Sequence, residues 1–183
     1  MNAVMISIRP EWCEKIASGK KTVEVRKTRP KLEPPFNCYI YCTDGNTLYK
    51  SNADGAIRCY RKKAHEAFCH HTIVNGKVVG EFVCDWIQGS YYPAAGLVAV
   101  SDEKQSCLTA RQIIEYANGK KVYFWHVTDL VIYEKPKQLS EFQKACDHKE
   151  DCGSCRRFDR SKYDCIAGLT CPPQSWCYVE ELV

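Results

Sequence analysis

Ser18-Gly19-Lys20-Lys21-Thr22-Val23-Glu24-Val25-Arg26 packs three cations, an acid and two hydroxyls into one turn and the strand that follows it. What precedes this stretch sets its geometry. Pro10 suits the first turn of a helix, where its missing N–H costs nothing, and Glu11 and Glu14 lie where the helix dipole favours acids. Trp12, Cys13, Ile16 and Ala17 recur at helical spacing, and Gly19 supplies a left-handed stop. From Thr22 the pattern changes to period two, with Thr22, Glu24 and Arg26 on one face and Val23 and Val25 on the other. Lys21 then lies at the turn, beside the start of that polar face. Val23 and Val25 suffice for a buried side, so the charges are chemistry in excess of folding. The competing reading is a charged edge strand that only keeps a hairpin soluble.

Toward the amino end, Val4-Met5-Ile6-Ser7-Ile8 alternates and reads as the first strand. Toward the carboxyl end, Lys27 to Pro35 is a stiff basic connection, because each proline fixes φ and restricts its predecessor. Phe36 to Thr43 reads as a core strand. Residues 44–71 break the pattern and read as a solvated insertion. Arg58, Arg61, Lys62 and Lys63 there interleave with Tyr60 and His65, a composition that also suits a phosphate backbone and a stacked base. His65, His70 and His71 read as loop histidines. Thr72-Ile73-Val74, Asn75-Gly76 and Lys77 to Cys84 predict a tight type I′ hairpin, with Gly80 marking a bulge or a close approach. Glu81 on that hairpin is a second candidate acid.

Trp86 to Ser101 predicts an irregular wall beside a pocket. A helix follows from Leu108, capped by Thr109, with Ile113, Ile114, Tyr116 and Ala117 inward and Asn118-Gly119 ending it. Lys120 to Tyr133 is one long β segment or two joined strands. Trp125 and His126 on it could stack on and hydrogen-bond a base, or serve as core and a satisfied strand histidine.

A helix followed by Gly-Lys-Lys-Thr-x-Glu-x-Arg entering a strand resembles the Gly-x-Lys-x-x-Glu-x-Arg signature of the ASCH domain, a branch of the PUA-like superfamily. The resemblance implies an α+β fold over residues 1–142: a PUA-like mixed β-barrel with two flanking helices. It also implies a binding module for RNA or a nucleoside or nucleotide. Lys20, Lys21 and Arg26 would attract phosphate, Glu24 would read a base amine beside Thr22, and Trp125 and His126 would line the pocket. Some small ASCH proteins look like amidohydrolases that deacetylate 4-acetylcytidine. In that branch Lys21 matches the catalytic lysine, whereas Glu24 stands where the branch has threonine. A carboxylate there favours the ammonium form of Lys21 and weakens the enzymatic alternative, unless Glu24 itself acts as base toward water.

The chain of 183 residues, 45% hydrophobic and 26% charged, suits one domain with a small appendage. Its formal charge of +4 permits an anionic partner. With no apolar run of membrane-spanning length and no secretory leader pattern, the expectation is a soluble cytoplasmic protein without a membrane partner. Thirteen cysteines then read as reduced thiols. Seven are scattered through residues 13–107 as small core residues, and six cluster from Cys146 to Cys177 in the tail, residues 143–183. Cys152-Gly-Ser-Cys155 is a metal knuckle, and Cys146 with Cys165 flank it most closely. Those four are the expected ligands of a structural zinc, with Cys171, Cys177 and His148 as substitutes. Metal-free thiols in a loose tail are the alternative. Trp176 and Tyr178 share parity in a final strand that would lock the tail onto the barrel. The run resembles the ending of phage-type and bacterial ASCH-domain proteins with a cysteine-rich tail.

Overall fold

The computed structural model describes residues 2–61, 71–92, 98–145, 158–159, 164–165 and 168–182. Its centre is a five-stranded mixed sheet in the order β10-β7-β3-β1-β13. The first strand, β1 (Asn2–Ile8), runs parallel to β3 (Phe36–Cys42) and antiparallel to β13 (Trp176–Glu180). β7 (Val78–Cys84) pairs antiparallel with both β3 and β10 (Thr128–Lys137). A parallel neighbour requires a crossover. Here α1 (Pro10–Ala17) and β2 (Val23–Arg26) lie between β1 and β3 in the chain.

The central sheet is buried on both faces. Val4, Ile6 and Ile8 of β1, with Phe36, Cys38, Ile40 and Cys42 of β3, enter one core. The intervening Ala3, Met5, Tyr39 and Tyr41 enter a second, closed by Phe142 and Val179. Val79 and Phe82 have opposite parity yet reach the first core together, because a bulge shifts the register: Ile40 faces Gly80 while Tyr41 faces Val78.

Among the described residues the strands form separate open sheets rather than the expected barrel. Among the described residues, β2, β9 (Lys121–His126) and β8 (Ile87–Tyr91) form their own three-stranded sheet. Trp125 of β9 fills the core shared with the central sheet. Joined strands β9 and β10 fulfil the reading of Lys120–Tyr133, but Val127 separates them and sends each to a different sheet.

Three further expectations are corrected. Residues 44–71 are not only an insertion, because β4 (Thr47–Ser51) pairs with β5 (Ile57–Tyr60) and with β6 (His71–Ile73). Leu48 and Ile57 bury themselves in the first core, near α1. The Asn75-Gly76 hairpin does not form, since β6 pairs with β4 rather than β7. Asn75 instead bridges loops, its Oδ1 accepting from Leu48 N–H at 2.7 Å and its Nδ2 donating to Thr43 and Asn46 carbonyls. Among the described residues there are three α-helices rather than two. The stretch Trp86–Ser101, expected as an irregular wall, contains strand β8 and the first residues of α2 (Val100–Ser106), and α3 (Ala110–Ala117) carries the anticipated Thr109 cap with a reciprocal Gln112 contact. No described helix is long and apolar enough to cross a membrane.

Four of the seven scattered cysteines are core residues, while Cys59 and Cys107 are only partly buried. Cys13, Cys38, Cys42 and Cys84 are buried, and desolvation pushes the Cys84 thiol up to about 12. Cys69 lies outside the described residues, as do Lys62, Lys63, His65 and His70. So do Cys146, His148, Cys152 and Cys155, while Cys165 is described only as backbone in β12 (Asp164–Cys165), paired with β11 (Phe158–Asp159). No group of metal-ligating side chains occurs among the described residues.

A Cβ at Gly80 would lie 2.4 Å from the Val131 carbonyl oxygen, a backbone atom that cannot swing aside. Gly80→Ala should cost about 2 kcal/mol and lower Tm by roughly 6 °C for a chain of this size. Gly19→Ala, with open space around the new methyl but φ of +72°, should cost about 1 kcal/mol. Thermal melts of both variants check the ranking.

Candidate functional site

β2 is short and buried on both faces, which its alternating sequence does not announce. Val23 and Val25 pack into a third core with Ile113, Ala117, Val122 and Phe124. Glu24 and Arg26 point the other way, into a cavity of about 640 Å³ walled by α1, β2, the start of α3 and residues 174–175.

Lys21 stands behind this strand, only 2% exposed. Its Nζ donates to the Ser106 carbonyl at 2.8 Å and the Val23 carbonyl at 2.9 Å. It also lies 3.3 Å from Glu24 Oε2. Two carbonyl acceptors and an adjacent carboxylate suit an ammonium. Because Ser106 is the last residue of α2, the charge also complements the negative end of that helix. Lys21 is therefore a strut between β2 and the α2–α3 connection, and through Leu108 it fixes one wall of the cavity.

Glu24 bridges two cations. Its Oε1 lies 3.1 Å from Arg26 Nε, but the N–H is not aimed along the contact, so this is an ion pair without a good hydrogen bond. The rest of the guanidinium reaches outward, Nη2 donating to the Ser7 carbonyl at 2.6 Å and Nη1 lying 3.4 Å from Ser175 Oγ. The Ser7 hydroxyl in turn donates to the Pro173 carbonyl at 2.6 Å. Arg26 thus ties β2 to β1 and to the segment leading into β13.

Lys21, Glu24 and Arg26 meet in the cavity wall, while Lys20 is exposed outside it and Thr22, whose backbone bonds to Gln105 and Val127, does not line it. Trp125 is fully buried, edge-on to Phe36, and does not line the cavity. His126 lies elsewhere, its Nδ1 2.6 Å from Asp85 Oδ1 and its ring stacked on Trp86. Glu81 is also remote, accepting from the Tyr133 hydroxyl on the second core's side. The acid that faces Lys21 is Glu24.

Sequence reading misses the aromatic walls. Trp12 of α1 reads as part of a core stripe, yet it lines the cavity with Lys15 Nζ 4.4 Å and Lys21 Nζ 5.3 Å from its ring. Tyr116 is expected inward, but it is 37% exposed and joins Gln112, one turn earlier, in the wall. The signal is available: Gln112 and Tyr116 are spaced i, i+4, on a different face from Ile113 and Ala117. Desolvation raises the Tyr116 phenol, with the Arg26 charge opposing, so the ring stays neutral near pH 7. Arg9 and Lys27 complete a lining of four cations against one acid.

The ASCH domain model matches residues 6–151. Among solved structures, ASCH from Zymomonas mobilis aligns with a TM-score of 0.56 at 19% identity, covering 98% of this chain and 88% of that one. A serine-to-alanine variant of the same protein aligns at 0.55 and 17% identity, covering 98% and 89%. A tyrosine-to-phenylalanine variant aligns at 0.53 and 18%, covering 98% and 91%. At these identities the likeness is one of fold. No curated protein matches the chain in sequence.

Lys21→Met keeps the apolar stem but leaves Glu24 short of one partner and the Ser106 and Val23 carbonyls without their donor. It should cost about 3 kcal/mol, and Glu24→Gln added to it should restore part of that loss. Urea unfolding of the single and double variants measures both. A neutral single variant would refute the strut.

Proposed function

This chain belongs to the ASCH domain family, and we propose that its cavity binds a nucleotide unit of RNA, the base between the aromatic walls and the phosphate at the cationic mouth. One observation carries the reading: a single carboxylate sits in a cavity that is otherwise cationic and bears two aromatic rings. A carboxylate accepts from a base amine, an aromatic face stacks a base, and arginine and lysine neutralise phosphate. Glu24 retains acceptor capacity, because Lys21 and Arg26 each engage one of its oxygens and leave lone pairs on both. Arg9 and Lys27 have no part in the buried charge row: Arg9 shares an exposed 4.0 Å pair with Glu11 and Lys27 Nζ lies 5.0 Å from the Tyr116 ring, weak contacts that an anion and a stacked base can displace.

The alternative, hydrolysis of 4-acetylcytidine by a Lys21 amine, gains no support from the geometry. To attack a carbonyl, Nζ would have to give up the Val23 and Ser106 carbonyls and leave Glu24. Glu24 acting on water remains a distinct mechanism with its own readout. The test combines both. Labelled RNA should bind at low salt and weaken as salt rises. Trp12→Ala and Tyr116→Ala should each weaken binding about tenfold, as expected for loss of one stacked base. Cytidine should not accumulate from 4-acetylcytidine. Cytidine made by the parent and lost in Glu24→Gln would replace binding with catalysis, and salt-insensitive or absent RNA binding would remove the proposal.

We also propose a structural zinc in the tail, held by Cys146, Cys152, Cys155 and Cys165. The β11–β12 ladder supports it, since Cys165 pairs with Phe158, which is three residues from Cys155 along the chain. Thirty or so residues with few aliphatics also need a staple. Protein purified without chelator should carry one zinc per chain, and Cys152→Ser with Cys155→Ser should abolish it. Well under one zinc per parent chain would dismiss the site.

A further inference from the structure

The connection from Lys27 to Pro35 carries Lys27, Arg29 and Lys31, three cations that the buried charge row does not use. It is nonetheless held firmly. Trp176 Nε1–H donates to Thr28 Oγ1 at 2.9 Å, and Lys31 N–H donates to the Tyr178 hydroxyl at 2.6 Å. Pro30 is buried, Leu32 packs against the first core, and three prolines restrict the backbone. The result is a rigid ledge with its charges outward: Lys27 and Lys31 are exposed. Arg29 Nε donates to the Pro30 carbonyl at 3.3 Å, and its Nη2 lies 3.3 Å from Glu33, an exposed acid whose pairing contributes under about 1 kcal/mol and exchanges readily for a phosphate.

The ledge begins at the cavity. Lys27 and Thr28 line its wall, whereas Arg29 and Lys31 lie beyond it. A mononucleotide in the cavity therefore leaves Arg29 and Lys31 unused, and only a ligand continuing out of the mouth can reach them. Admission of one base to a half-open cavity, between Trp12 and Tyr116, also requires that base to be free of its pairing partner. Extrusion from a duplex costs a few kcal/mol, which a single strand is spared.

We propose that the Lys27–Lys31 ledge is a phosphate track, and that the ligand is single-stranded RNA several nucleotides long, one base in the cavity and the adjoining phosphates along the ledge. This rests on the nucleotide reading of the cavity and adds the polymer to it. Preorganisation matters because an anchored ledge loses little conformational entropy when the strand docks.

The test is fluorescence anisotropy with a labelled single-stranded RNA hexamer of mixed sequence, competed by the four nucleoside 5′-monophosphates and by the same hexamer annealed to its complement. A salt series is taken for the parent and for Arg29→Ala/Lys31→Ala, whose side chains do not line the cavity. The single-stranded hexamer should bind at least tenfold more tightly than any monophosphate and than the duplex. The double variant should lose most of that advantage, keep its monophosphate affinity, and show a log–log salt slope shallower by about 1.4, at roughly 0.7 per phosphate contact on a single strand. Equal binding of hexamer and monophosphate, or a double variant with unchanged slope, overturns the track and leaves the cavity reading standing. A duplex bound as tightly as the single strand overturns the single-strand assignment. Absence of binding by both hexamer and monophosphates overturns the cavity reading and the track together.

Discussion

Glu24, buried between Lys21 and Arg26, is the constraint on which the arrangement of the chain depends. Three charges on and beside a four-residue strand cannot be buried cheaply, since desolvation of each costs several kcal/mol before any partner is found. Every compensating contact is therefore an instruction about what must stand nearby. Lys21 requires the end of α2, Arg26 requires the Ser7 carbonyl on β1 and Ser175 before β13, and Glu24 requires both cations. Residues far apart in the chain are thereby brought to one wall. Apolar packing alone would hold β2 through Val23 and Val25 against the third core, but it would not specify what lies on the opposite face.

The tail enters the same logic from its other end. β13 completes the central sheet beside β1, and its alternation divides between the two cores. Trp176 and Tyr178 pack on the first, while Cys177 and Val179 join the second with Leu169 and Leu182. A sheet whose middle strands are apolar on both faces needs cover on both faces, and the segment from Gly168 to Leu182 supplies part of each. The Ser175 contacts to Arg26 make this segment a wall of the cavity as well as a seam of the fold.

Much of this was legible where local chemistry is decisive. Pro10, Gly19, Thr109 and Asn118 fix helix ends through capping and positive φ, and each does so here. β1, β3 and β13 were readable as strands because apolar and aromatic residues dominate them. The failures share a cause. Leu48 and Ile57 are single anchors in short, polar strands, and their burial is granted by α1 from outside the segment. Asn75-Gly76 has the composition of a tight turn, yet β4 competes for the preceding strand and Asn75 gains more hydrogen bonds by bridging loops. Trp12 and Tyr116 show the limit in the site itself: an aromatic on an amphipathic helix belongs to core or cavity according to what the opposite wall supplies, and that wall is distant in sequence.

The charge row also governs what the cavity can select. With Lys21 spent on carbonyls and Arg26 anchored to β1 and residue 175, neither is free to collapse onto an incoming anion, so their field is fixed before a ligand arrives. Glu24 offers acceptor oxygens on a floor that would otherwise repel hydrogen-bond donors with positive charge. On the proposed reading, a neutral nucleoside meets the carboxylate and the rings but gains nothing from Arg9 and Lys27. Inorganic phosphate meets the cations but is repelled by Glu24 and finds no use for the rings. A ligand that carries a stacked, donor-bearing ring at one end and a phosphate at the other uses every part of the lining, which makes the combination more selective than any one contact.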